Sequence, residues 1–187
     1  MAVREAGGVI RTAYAEGLKL VTLPSLRLTL ALTWAVVLLL RLADPAGGVV
    51  PYARIGTLVL GVLAAGHEYQ AGGQIRTSLL AVPRRPLLAV AKIAALAVVA
   101  APFVLVTALL AGEPGATGGL LLDLLLAAAV GTVVRHPVGA TGVVLTAYEI
   151  GVPLIRTHLP DVAWPTSPVW TAAAILISVA TFCRREA

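Results

Sequence analysis

Six mostly apolar stretches, at 26–42, 50–66, 87–110, 118–134, 138–155 and 169–182, leave this 187-residue chain few ways to fold in water. A helix crosses the hydrocarbon of a bilayer with about 20 mostly apolar residues, over a range of about 17–25. Five stretches meet that range, and the last is shorter. Little remains to dress a soluble surface: 59% of residues are apolar before the 18 glycines are counted, and 12% are charged. Soluble domains run at about 45–50% apolar with glycine included and about 25% charged. Disorder is excluded on the same ground, because it needs low hydrophobicity and high charge. The expected fold class is all-α: a polytopic membrane protein of six transmembrane helices in one domain over 1–187.

Charge sets the expected orientation. With six crossings both termini share a side with the loops at 67–86 and 135–137. That side carries Arg4, Arg11, Lys19, Arg27, Arg76, Arg84, Arg85, Lys92, Arg135, Arg184 and Arg185, and the other only Arg41, Arg54 and Arg156. Eleven against three places both ends in the cytoplasm by the positive-inside rule. Trp164 and Trp170 then fall at the outer interface. Twelve of the 14 basic residues are arginine, and Ala, Val, Leu and Gly dominate, as in a high-GC bacterial gene. The expected location is a bacterial plasma membrane. No cleavable signal peptide is expected, since residues 1–25 lack an apolar core and carry five charges. They place Val3, Ile10, Tyr14, Leu18 and Val21 near one helical face and Arg4, Arg11 and Lys19 near another, the pattern of an amphipathic helix on the cytoplasmic surface. The outer loops at 43–49 and 111–117 are short. The stretch 156–168, with Pro160, Pro165 and Pro168, has room for a re-entrant or interfacial helix.

Several chemistries find no residues to carry them. Gly61 and Gly66 have the separation of a phosphate-binding loop, but His67 and Glu68 stand where Lys and Ser or Thr are required. His67, His136 and His158 fall on opposite sides of the expected membrane, and Cys183 is the only cysteine, so no metal site is expected. No H-E-x-x-H or G-x-S-x-G motif occurs, and no enzymatic activity is expected of this chain. The basic residues flank apolar segments without interleaved aromatics, which argues for topology rather than nucleic acid.

Residues 67–92, HEYQAGGQIRTSLLAVPRRPLLAVAK, form the main cytoplasmic loop and the start of the third span. Gly72 and Gly73 permit a sharp turn, because glycine accepts positive φ at little steric cost. Ile75, Leu79 and Leu80 make the apolar side of a short helix, with Arg76, Thr77 and Ser78 facing elsewhere. Pro83 ends it, and Arg84, Arg85 and Lys92 sit at the headgroups. Such a short surface helix suits a membrane domain that receives force from a soluble partner.

The order Glu-Tyr, glycine turn, Ile-Arg-Thr-Ser-Leu, Ala-x-Pro-Arg-Arg and a later Lys resembles actinobacterial ATP-binding-cassette (ABC) transporter permeases of the type-2 export class. Ala15-Glu16-Gly17-Leu18-Lys19-Leu20 with Thr22-Leu23-Pro24-Ser25 is similar to that family's lead into its first span. Tyr148-Glu149-x-x-Val152-Pro153-Leu154 with Leu159-Pro160 is similar to the segment at its fifth. The resemblance implies six spans per subunit, a dimer with a second copy or a related permease, and two copies of a separate ATPase subunit. ATP and Mg would be bound by that partner, and no cofactor by this chain. It further implies that an elbow helix at 1–25 and the loop at 67–86 dock on the ATPase, with Glu68, Tyr69, Gly72, Arg76, Thr77, Pro83, Arg84 and Arg85 as the coupling element. The chain is shorter than is usual for the family.

Two acids lie within the apolar stretches. Asp123 is near the outer end of the fourth, and Glu149 is in the outer half of the fifth. Ionisable groups in hydrocarbon cost at least about 2.5–3.5 kcal/mol on insertion scales and normally face a partner or a wet cavity. Arg54 is the expected partner of Asp123 or Glu149, either as an ion pair that locks helices or beside an export path for a cationic, amphipathic substrate. The same residues admit a proton-coupled secondary transporter using Glu149, or a small membrane scaffold or immunity protein. The reading taken forward is an exporter of an amphipathic drug, antibiotic, peptide or lipid-like molecule.

Overall fold

A computed structural model describes residues 22–66, 85–158 and 168–185. Every regular element among them is helical, and there is no strand. The helices are α1 (Pro24–Ala43), α2 (Val50–Gly66), α3 (Arg85–Leu110), α4 (Thr117–Val134), α5 (Pro137–Thr146), α6 (Val152–His158) and α7 (Pro168–Arg185). A single 3₁₀ turn, Pro114–Ala116, precedes α4, and a π-turn, Ala147–Gly151, joins α5 to α6 without a break.

Among the described residues, four helical stretches are long and apolar enough to cross a membrane: Pro24–Ala43, Lys92–Leu110, Pro114–Val134 and Pro137–Leu154. Val50–Gly66 and Pro168–Thr181 are apolar but shorter. The outward faces carry the same chemistry as the core. On α1, Leu28, Leu32, Leu39 and Leu42 are all more than half exposed, as are Val98 and Leu109 on α3 and Leu176 and Ile177 on α7. Helices that are apolar all round belong in lipid or in a large protein interior.

Helix ends depart by a residue or two from the apolar stretches, for local reasons. Pro24 and Ser25 belong to α1 rather than to the segment before it, because proline in the first turn gives up a donor that has no intrahelical partner. Arg85 and Pro86 likewise belong to α3 and not to the loop at 67–86. The fifth stretch continues as helix to His158, three residues into the region expected to be loop. The remaining expected features at 1–21, 67–84 and 159–167, including the amphipathic elbow and the short coupling helix, lie outside the described residues.

Helix α4 is the hub, packing on α2, α3, α5 and α7, and its contact with α2 is the most extensive in the molecule. Leu120, Asp123, Leu124, Ala127, Ala128 and Gly131 recur at helical spacing and are buried. Small residues let backbones approach in an apolar solvent, where packing rather than water drives association. Gly61 sits against the Leu124 carbonyl and the Ala127 side chain, and Gly131 sits against Val62 and Ala65. The two numbers rise together, so α2 and α4 run parallel. Around this pair Val37, Ala53, Val104 and Leu120 form one apolar core, and Leu58, Val62, Ala140 and Val144 a second.

Candidate functional site

Three side chains from three helical segments meet near the end where α2 and α4 begin: Arg54 of α2, Asp123 of α4 and Tyr148 of the π-turn. Arg54 and Asp123 each stand in the second turn of their helices, and parallel packing of those helices brings them to neighbouring levels. Asp123 is 1% exposed. Its Oδ1 accepts the Tyr148 hydroxyl, and its Oδ2 lies 2.9 Å from Arg54 Nε. That approach is an ion pair rather than a directed hydrogen bond. The Arg54 guanidinium also stands over the Tyr148 ring, 5.9 Å from its centroid, where a cation is attracted by the π face. The Arg54 side chain keeps 29% exposure. Both carboxylate oxygens of Asp123 are therefore engaged, and the acid presents no open face to a passing cation.

Of the two acids weighed as partners of Arg54, Asp123 is the one it meets. Glu149 is exposed, and no described side chain pairs with it. The π-turn separates the two neighbours in the sequence. Pro153 has no N–H, and its ring collides with the carbonyl four residues back, which belongs to Glu149. A wider turn relieves the clash: the Val152 N–H reaches the Ala147 carbonyl, five residues back instead of four. Tyr148 turns inward to Asp123, and Glu149 points away from the bundle. Sequence reasoning did not assign Tyr148 this role. The available signal was a tyrosine deep in an apolar stretch, whose hydroxyl needs a partner when buried.

A second feature is a half-open apolar cleft of about 250 Å³ between α1, α2 and α3, floored by Leu124 of α4. Two of its lining residues are held by Trp34, which donates its indole N–H to Thr107 Oγ1 at 3.0 Å and tilts its ring against Phe103 at 6.5 Å between centroids.

Glu68, Tyr69, Gly72, Arg76, Thr77, Pro83 and Arg84 lie outside the described residues, and Arg85 opens α3. His136 caps α5, its Nδ1 accepting the Gly139 N–H at 3.1 Å, which satisfies one of the donors a helix start leaves open. Among the described residues no three His, Cys, Asp or Glu side chains gather as a metal site. No family model, curated protein or solved structure matches the chain. The functional reading therefore rests on its own residues.

Proposed function

We propose that this chain is the membrane-spanning permease subunit of an ATP-driven exporter. The segment HEYQAGGQIRTSLLAVPRR at 67–85 carries that reading: a glycine turn, an Ile-Arg-Thr-Ser-Leu stretch and a Pro-Arg-Arg stop between two apolar helices. In this reading all six apolar stretches cross the membrane, α2 and α7 near the minimum length, and both termini are cytoplasmic. The loop at 67–86 and an elbow at 1–25 dock on a separate ATPase, whose closure on ATP is transmitted through the loop to α2 and α3. The Arg54–Asp123–Tyr148 cluster ties α2, α4 and α5 together so that they move as one body. No bond chemistry occurs on this chain. An amphipathic drug, antibiotic, peptide or lipid-like molecule suits a bundle with so little polar lining.

The reading also supplies a reason for Glu149. A carboxylate on the outward face of an apolar helix is costly in lipid, and a second permease subunit laid on the π-turn would cover it. Glu149→Leu is expected to weaken subunit association, measured by cross-linking in the membrane, while the unfolding of the single chain shifts by no more than about 0.5 kcal/mol. Loss of folded protein instead would assign Glu149 a partner within the chain.

Purification of the tagged chain from its native membrane in mild detergent tests the proposal. A stoichiometric ATPase carrying a phosphate-binding loop is the expected companion. A lone oligomer from a fully solubilised membrane would shift the assignment to a proton-coupled transporter or a scaffold. In the reconstituted complex, Arg76→Glu is expected to leave the protein in the membrane and abolish the coupling of ATP hydrolysis to transport. Wild-type transport by that variant would remove the loop from the mechanism.

A further inference from the structure

The cleft between α1, α2 and α3 lies apart from the Arg54 cluster and has a polarity of its own. Leu26 and Leu30 of α1, Leu60 and Ala64 of α2, and Leu96 and Phe103 of α3 make its walls. Two threonines also line it, but their hydroxyls are turned to the protein: Thr57 donates to the Arg54 carbonyl and Thr107 to the Phe103 carbonyl, each at 2.8 Å. Arg27, in the first turn of α1, is the charged residue among the described residues of this lining. Lys92 stands one helical turn before Leu96 on α3, so a second cation lies towards the start of the same face. The cleft is thus an apolar slot whose positive charge is concentrated towards the end where α1 and α3 begin.

An open apolar slot in a bilayer is filled by whatever hydrocarbon reaches it. At about 250 Å³ it is smaller than the roughly 300–1,000 Å³ of sites for drug-sized molecules, which favours a length of chain over a fused ring system. A tail that leaves lipid for an apolar slot gains packing but no hydrophobic transfer. Selectivity must come from the head. The arginine fork matches a phosphate in geometry and charge, and cations between helices near the membrane surface gather anionic headgroups.

We propose that this cleft seats one acyl chain of an anionic phospholipid with its phosphate at Arg27. The assignment is independent of the exporter reading. It makes the lipid a structural wedge between α1, α2 and α3.

Native mass spectrometry of the full chain in mild detergent tests it, with phosphatidylglycerol and phosphatidylcholine of identical tails supplied at equal concentration. The first bound lipid is expected to be phosphatidylglycerol by about fivefold, the preference that one basic residue near a membrane surface confers. Arg27→Gln, an exposed change on α1, is expected to bring that preference to about one. Leu60→Trp, which fills the slot, is expected to lower occupancy by both lipids; Ala64→Phe serves the same purpose if the tryptophan variant does not fold. Inorganic phosphate, which has no tail, is expected not to displace the lipid. Equal retention of both lipids by the wild type, a preference that survives Arg27→Gln, or full occupancy in the folded filled-slot variant would each overturn the proposal. So would displacement by inorganic phosphate.

Discussion

Arg54→Ala is expected to destabilise the bundle by about 3–5 kcal/mol, the range for removing one partner of a buried pair, and by more than Asp123→Ala. The asymmetry follows from burial. Asp123 is 1% exposed, so without Arg54 its charge is left deep among α2, α4 and α5. Arg54 is 29% exposed, so without Asp123 it can turn its long side chain towards the headgroups. Asp123→Ala should then cost about 1–3 kcal/mol, chiefly through the unpaired Tyr148 hydroxyl and the lost contact. The double variant Arg54→Leu/Asp123→Leu should fall within about 1 kcal/mol of the wild type or exceed it, because apolar replacement of a buried pair is often neutral or stabilising. Unfolding in mixed micelles, followed by circular dichroism, reads all three. Equal costs for the two single changes would mean that packing, not charge, holds the cluster together.

Gly61→Val is expected to separate α2 from α4. A Cβ at Gly61 would collide with the Leu124 backbone carbonyl, which cannot swing aside as a flexible side chain could. Overpacking in a well-filled core typically costs about 1–3 kcal/mol and occasionally more. The upper end is expected here, because the obstacle is backbone in the most extensive helix contact of the protein. Gly142→Val is the control. Nothing lies within 4 Å of a Cβ at Gly142 on α5, so this change should leave stability near that of the wild type. A similar loss in both variants would rule out the close approach as its cause, since valine is no worse a helix former than glycine.

The helices were legible because hydrophobic length is a local property. Each of the six apolar stretches is helical, including the short one at 169–182, which the structure extends to Pro168–Arg185. Their ends were less legible, since prolines 24, 86 and 137 are accepted inside first turns where a composition boundary stops short of them. Of the candidate cluster, Arg54 and Asp123 were visible as rare charges in apolar sequence. Tyr148 was not, because an aromatic residue in such a stretch reads first as lipid-facing or core. The choice between Asp123 and Glu149 was not legible either. It depends on a π-turn whose sequence trace is one proline, Pro153, four residues beyond Glu149.

The sequence alone determined the class of solvent, the helical fold and the approximate place of each apolar helix. Those follow from how many apolar residues stand in a row and how few charges interrupt them. Only the tertiary structure decided which face of each helix turns inward. Leu39 on the outside and Leu58 on the inside are the same residue type, so no contrast of polarity sets the rotation. Rotation is set instead by where small residues such as Gly61 and Gly131 allow backbones to close, and by a buried carboxylate, Asp123, that must find a cation and a hydroxyl. Those are contacts between residues 69 and 25 positions apart, Arg54 with Asp123 and Asp123 with Tyr148. No local pattern encodes them.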